Sequence, residues 1–151
     1  MDGYEDFEEI HVKEVYIIDA LSDPTPVVLL ENEKGEMLPI YIGHLEAMSI
    51  SNVLKSVSHP RPMPHDLLID IFKRMNTKVE GVLIDDKIDQ TYYARLLLRK
   101  GKKTMQFDAR PSDCIALALR ANAPIKIRKK VLESSEIDAS RLEGARIMTL
   151  F

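Results

Sequence analysis

Along residues 10–19, "IHVKEVYIID", polar and apolar side chains alternate before the run turns apolar. Successive side chains of a strand point to opposite faces, so this pattern predicts a strand entering a core. Residues 25–43, "TPVVLLENEKGEMLPIYIG", hold two apolar runs around a polar Glu-Lys-Gly-Glu segment and read as a hairpin. After Gly43 the period changes. Ala47, Ile50, Leu54 and Val57 recur at spacings of three and four, which predicts an amphipathic helix. The stretch "SHPRPMPH" (58–65) carries three prolines in eight residues. Such a run cannot be helix interior or central strand, and reads as an ordered loop leading to a second helix. In that helix, over roughly 65–75, Leu67, Leu68, Ile71, Phe72 and Met75 share one face.

Strand-like runs follow at 79–86, 91–99 and 103–108, the last two joined by a Lys100-Gly101-Lys102 turn. Next comes "FDARPSDCIALALR", from Phe107 to Arg120. Pro111 suits a first helical position, because its φ is already helical and its missing N–H would have been unpaired there. Asp113 then falls in the first turn, where a carboxylate meets the positive end of the helix dipole. Cys114 to Leu119 is apolar on every side, so this helix must be covered on more than one face, within the chain or by a second subunit. A short strand at 124–128, a helix at 129–137 and an amphipathic tail at 138–151 complete the reading. Strands and helices are mixed without strict alternation. The expectation is an α+β fold: a single domain over 1–137 with a mixed β-sheet and packed helices, then a short C-terminal tail.

Length and composition narrow this further. At 151 residues the chain is economical as one domain, and its 45% hydrophobic content argues against disorder. No apolar run nears the roughly 18 residues that cross a bilayer, and the acidic start "MDGYEDFEEI" is unlike a signal peptide, so no membrane role is expected. One cysteine, Cys114, excludes an intrachain disulfide and a cysteine-based zinc site. These features together imply a soluble, cytoplasmic protein. A net charge of −3 is not that of a bulk nucleic-acid binder. The charge is uneven, however: Arg95, Arg99, Lys100, Lys102 and Lys103 cluster, as do Lys126, Arg128, Lys129 and Lys130. Each cluster is either a solvated hairpin end or a phosphate-binding patch.

Motifs for dinucleotide binding, a P-loop, a zinc protease or a serine hydrolase are absent, and no organic cofactor is expected. What remains is a set of helix starts. Glu46, Asp66 and Asp113 each fall at one, after tight Gly or Pro turns, with Arg61-Pro62 and Arg110-Pro111 nearby. If these ends converge, Glu46, Asp66, Asp108 and Asp113 could hold Mg²⁺ or Mn²⁺ for phosphodiester hydrolysis, since hard cations take oxygen ligands and activate water. His65 would be the general base, and Arg61 or Arg110 would clamp the phosphate. Arg61, Arg99, Lys100, Lys102 and Lys103 would hold the flanking nucleic-acid backbone. A structural reading stands beside this one. First-turn carboxylates stabilise helices without further purpose, and an arginine between Asp108 and Asp113 often forms an ion-paired network that orients a loop. Cys114, followed by Ile, Ala and Leu, reads as a packed core thiol.

Four blocks, "LPIYIGHLEA" (38–47), "RPMPHDLL" (61–68), "YYARLLL" (92–98) and "DARPSDCIALALR" (108–120), occur in the order and spacing of the bifunctional nuclease family, which this chain resembles over roughly 11–135. The resemblance implies an α+β domain of its own type, commonly self-associating with a dimer favoured, and activity on DNA and RNA. Residue by residue it selects Glu46 in the Ile-Gly-x-x-Glu-Ala block and His65 and Asp66 in the Arg-Pro-x-x-His-Asp block. It also selects Asp108, Arg110 and Asp113 in the Asp-Ala-Arg-Pro-Ser-Asp block. It supplies no catalytic roles. Pro64 stands where a threonine is usual, stiffening the loop and removing a hydroxyl, and Cys114 stands where alanine is usual. A C-terminal interaction motif carried by some relatives is not expected here. The alternative function is a non-catalytic oligomeric binding or regulatory domain, in which the polar blocks are structural networks.

Overall fold

Residue Ile10 marks a bend between two sheets. The computed structural model describes residues 5–19, 23–135 and 145–148. In it, strands β1 (Phe7–Glu9) and β2 (His11–Ile18) flank Ile10, which is buried and donates its N–H to the Ile125 carbonyl at 3.0 Å. The single strand expected at 10–19 is thus the second half of a longer extended run that changes sheets. The predicted hairpin forms β3 (Thr25–Glu31) and β4 (Met37–Tyr41), which pair antiparallel. Its turn is organised by Asn32, whose Oδ1 accepts the N–H groups of Lys34 at 3.1 Å and Glu36 at 2.9 Å. Gly35 sits there at a φ of 83°, where a side chain would be strained.

Helices α1 (His44–Leu54) and α2 (Pro64–Arg74) follow, then strands β5 (Lys78–Ile88), β6 (Thr91–Lys100) and β7 (Lys103–Ala109). Helix α3 (Pro111–Ala121) begins at the predicted proline; β8 (Ile125–Arg128), α4 (Lys129–Ser135) and β9 (Arg146–Ile147) complete the order. The five-stranded sheet runs β1-β8-β5-β6-β7 and is mixed, because β5 and β8 pair parallel while its other pairs are antiparallel. The four-stranded sheet runs β4-β3-β2-β9 and is antiparallel throughout. The α+β, single-domain expectation therefore holds, with the strands divided over two sheets. Most of residues 138–151, read as a tail, lies outside the described residues. Of that stretch, β9 pairs with β2 and Met148 is buried.

Helix α3 explains why the sheets share a core. It packs on β5 and β6 and also touches α1 and α2, while α1 packs on β2 and β3. Cys114 to Ala118 are all buried, so the all-apolar stretch is covered within the chain itself. One apolar cluster joins Val15, Val28 and Ile40 of the four-stranded sheet to Ile84, Leu96 and Ile127 of the five-stranded sheet through Ile50 and Ile115. Helix α2 places Phe72 apart from the other four residues of its expected shared face. Leu67, Leu68, Ile71 and Met75 do share a face, but it points to solvent, whereas His65, Ile69 and Phe72 turn inward. The polar contacts of His65 described below set that rotation. Among the described residues, no helix is long and apolar enough to cross a membrane.

Candidate functional site

The starts of α1, α2 and α3 meet at one place. Arg110 is the N-cap of α3, Pro111 its first residue, and no side chain caps that end. Arg110 instead folds over the first turn. Its Nε donates to Asp113 Oδ2 at 3.0 Å, and a terminal nitrogen lies 2.9 Å from the same oxygen. Its other terminal nitrogen is 3.7 Å from Glu46 Oε1. The hydrogen bond to Asp113 holds the guanidinium above its ordinary pKa. Glu46 lies in the first turn of α1 and folds back over the N-cap, Gly43, so closely that a Cβ there would collide with its carboxylate. Glycine at 43 thus lets Glu46 lie against the backbone while reaching Arg110.

His65, in the first turn of α2, closes the cluster. Its Nε2 lies 2.9 Å from Asp113 Oδ1, and its Nδ1 lies 2.6 Å from Ser49 Oγ on α1. A carboxylate only accepts, so Nε2 donates to Asp113, while Nδ1 shares a hydrogen bond with the Ser49 hydroxyl. Both ring nitrogens are engaged, and Ser49 and His65 are buried. The Ser49–His65–Asp113 chain therefore fixes the orientation of Asp113; it does not offer an exposed nucleophile and base.

Asp66 joins the network one step away. Its Oδ2 accepts the Met63 N–H at 3.0 Å, capping the start of α2, and its Oδ1 accepts from Arg120 Nε at 2.7 Å. Burial alone would raise the Asp66 pKa; the hydrogen bonds from Arg120 and the Met63 N–H outweigh it, and the carboxyl sits below its ordinary value. Arg120 also donates to the Ala116 carbonyl at 3.0 Å and the Ser49 carbonyl at 3.3 Å. One nearly buried guanidinium thereby ties three helices together. Neither Ser49 nor Arg120 was selected from the sequence. A serine inside a helix and an arginine in a last turn are ordinary there, so only the fold distinguishes them.

The other expected residues lie elsewhere. Asp108 sits on β7 directly opposite Arg95 of β6. Met105 and Ala109 of β7 pack on the core, so the pleat sends Thr104, Gln106 and Asp108 to the opposite face of the strand. Arg61 is exposed in the loop before α2. Arg99 pairs with Glu80 at 2.7 Å, and Lys100, Lys102 and Lys103 form the exposed end of the β6–β7 hairpin. From Lys103, β7 runs toward Arg110 at about 3.3 Å per residue, which separates that basic end from the cluster by roughly 20 Å.

Glu46 and Asp113 face Arg110, and Asp66 faces Arg120. Among the described residues, no three of His, Cys, Asp or Glu are grouped as metal ligands. The donor set as arranged does not fit a divalent ion held by protein groups alone. What the cluster offers outward is the Arg110 guanidinium, 66% exposed, backed by the carboxylates of Glu46 and Asp113.

The site is an arginine held over carboxylates where three helix starts of an α+β domain converge, an arrangement suited to anionic substrates. Comparison with known proteins gives it a family. Residues 27–140 match the sequence pattern of the bifunctional nuclease domain, and the chain belongs to that family. It is 39% identical over 108 residues to an uncharacterized protein of Mycobacterium tuberculosis, covering 71% of this chain and 64% of that one. It is 29% identical over 115 residues to bifunctional nuclease 1 of Oryza sativa subsp. japonica, covering 73% of this chain and 35% of the plant protein. With bifunctional nuclease 1 of Arabidopsis thaliana the identity is 26% over 133 residues, covering 81% and 41%. The chain thus spans less than two thirds of the length of these relatives.

Proposed function

We propose that this chain is a nuclease that hydrolyses phosphodiester bonds of DNA, RNA or both at the surface formed by Glu46, Arg110 and Asp113. The observation that carries the reading is the convergence of three helix starts on Arg110, the exposed cation of a cluster otherwise made of carboxylates and a buried histidine. Membership of the nuclease family supports it. Arg110 holds the phosphoryl oxygens and stabilises the charge that builds on them as phosphorus gains a fifth ligand. Asp113 and Glu46 are the proton-transfer groups. His65 and Ser49 orient Asp113, and Arg120 with Asp66 fixes α2 against α3. The basic end of the β6–β7 hairpin, with Arg61, contacts backbone away from the scissile bond. Asp108, on the opposite face of β7 from Met105 and Ala109, is left out of the machinery.

Divalent-metal assistance and self-association belong to the same proposal. The pairing of each cluster carboxylate with an arginine weighs against an ion held by protein groups alone, so the metal enters as a variable of the assay. Purified wild type is measured on single- and double-stranded DNA and RNA with Mg²⁺, Mn²⁺ or EDTA, beside Arg110→Gln, Asp113→Asn and Asp108→Asn, each checked for folding. The expected result is a loss of about 100-fold or more for Arg110→Gln, the scale on which removal of one charge-stabilising donor acts. Asp108→Asn is expected to keep its activity. Wild type without activity on any of these substrates would favour the second reading, a non-catalytic oligomeric binding domain. The exposed apolar face of α2 favours self-association in either case.

A further inference from the structure

Beside Arg110 a groove of about 530 Å³ opens between the two sheets, a volume within the roughly 300–1,000 Å³ span of small-ligand sites. Ile40 and Ile42 line one side, Tyr92 and Lys87 of the β5–β6 hairpin the other, and Arg110 and Ser112 lie at the start of α3. Arg110 is shared with the proposed cleavage surface, whereas Lys87, Tyr92 and Ser112 have no role there.

Three features of the groove select an anion with an apolar body. First, α3 is eleven residues long, no side chain caps it, and Pro111 contributes no N–H, so the positive end of its dipole faces the groove at Ser112. Second, Ser112 is only 6% exposed and lines the groove, and its hydroxyl has no hydrogen-bond partner among the described residues. The oxygen is not sealed off by its neighbours, so it is open to a group that enters the groove. Third, the Lys87 ammonium lies 5.1 Å from the centre of the Tyr92 ring and forms no ion pair with a described carboxylate. Cations on both sides with apolar surface between them match a phosphate attached to an uncharged ring system.

We propose that this groove is a nucleotide subsite. It takes one nucleoside phosphate unit of a single strand, with the phosphate between Lys87, Ser112 and Arg110 and the sugar and base against Ile40, Ile42 and Tyr92. The choice of a nucleoside over other organic phosphates, and of a strand over a free nucleotide, rests on the nuclease reading.

The test measures binding in EDTA, where it does not depend on turnover. Adenosine 5′-monophosphate, adenosine, inorganic phosphate and hexathymidylate are titrated into the full chain and followed by backbone amide NMR. The expected result is displacement of the Ser112 and Lys87 amide signals by the monophosphate, competition by inorganic phosphate and by hexathymidylate, and little response to adenosine. Lys87→Ala, at a site away from the core, is expected to weaken the monophosphate about tenfold, the effect of losing one hydrogen bond to a charged group. Ser112→Ala provides a second variant. No displacement at Ser112 by millimolar monophosphate, or unchanged affinity in both folded variants, would overturn the subsite. Monophosphate binding without competition from hexathymidylate would overturn its assignment to a strand. Binding by a protein without nuclease activity leaves the subsite standing and removes the nuclease reading; cleavage without binding here does the reverse.

Discussion

Arg120 Nε lies 2.7 Å from Asp66 Oδ1, joining the last turn of α3 to the first turn of α2 across 54 residues of sequence. The same guanidinium reaches the Ser49 carbonyl of α1. Helix starts have no intrinsic reason to gather, and this arginine supplies one.

Arg120→Ala is therefore expected to lower stability by about 2–3 kcal/mol, the scale of a hydrogen-bonded charged group, as read from urea unfolding. Arg120→Lys should recover little of it, because an ammonium lacks the planar fork that serves a carboxylate and two carbonyls together. Full recovery by lysine would show that charge alone matters at this position.

The Asp66–Arg120 contact also sets a pH dependence. The folded Asp66 pKa lies below its ordinary value of 3.8, so the unfolded chain binds the proton more readily. The contribution is complete above that ordinary value and is lost as pH falls through the lower, folded one. Between about pH 5 and pH 3, wild type should lose more stability than Asp66→Asn, which has no carboxyl to titrate. Parallel urea midpoints for the two proteins check this, and equal losses would remove Asp66 as the cause.

Burial pushes the Cys114 thiol up to about 12, with the nearby charges of Asp113 and Asp108 adding to the effect. The reactive species is the thiolate, so native protein at neutral pH should not react with an aromatic disulfide reagent on the timescale of minutes. Release of one thiol equivalent should track unfolding in urea. Rapid labelling of the native state would mean that the α3 core opens readily.

Gly43→Ala would place a Cβ against the Glu46 carboxylate, the far end of a flexible side chain. The helix should survive at a cost below about 1 kcal/mol, since alanine is a somewhat poorer N-cap than glycine. Glu46, however, must swing away from its position over the N-cap and beside Arg110. Nuclease activity should fall while the unfolding midpoint barely moves; an unchanged rate would release Glu46 from any part in the chemistry.

On α2, Leu68→Glu puts a charge on the exposed apolar face without disturbing the inward Ile69 and Phe72. If this face joins two copies, light scattering should show the variant with a lower mass than wild type at equal concentration. A wild-type monomer, or a variant that assembles as wild type does, would place self-association elsewhere or nowhere.

Much of this protein was legible along the chain because its causes are local. The Glu-Lys-Gly-Glu turn, the helix start at Pro111 and the hairpin end at Gly101 follow from φ preferences and the spacing of apolar residues. The four blocks gave the family, and three of them held Glu46, His65, Arg110 and Asp113, which the fold brings into contact. Other decisions rest on contacts between residues far apart in sequence. Periodicity put Leu67, Leu68, Ile71, Phe72 and Met75 on one face of α2 without saying whether it is buried; the hydrogen bonds of His65 to Ser49 and Asp113 turn the helix so that Leu67, Leu68, Ile71 and Met75 face out. Asp108 looked like a partner of Arg110 because it is two residues away. The chain leaves β7 between them, and Arg110, as the N-cap of α3, turns to Asp113 and Glu46 instead. Ser49 and Arg120 carry no local signature at all. Periodicity and turn chemistry record what each segment prefers alone; which side of a segment is buried, and which charges meet there, is decided when the two sheets close around α1 and α3.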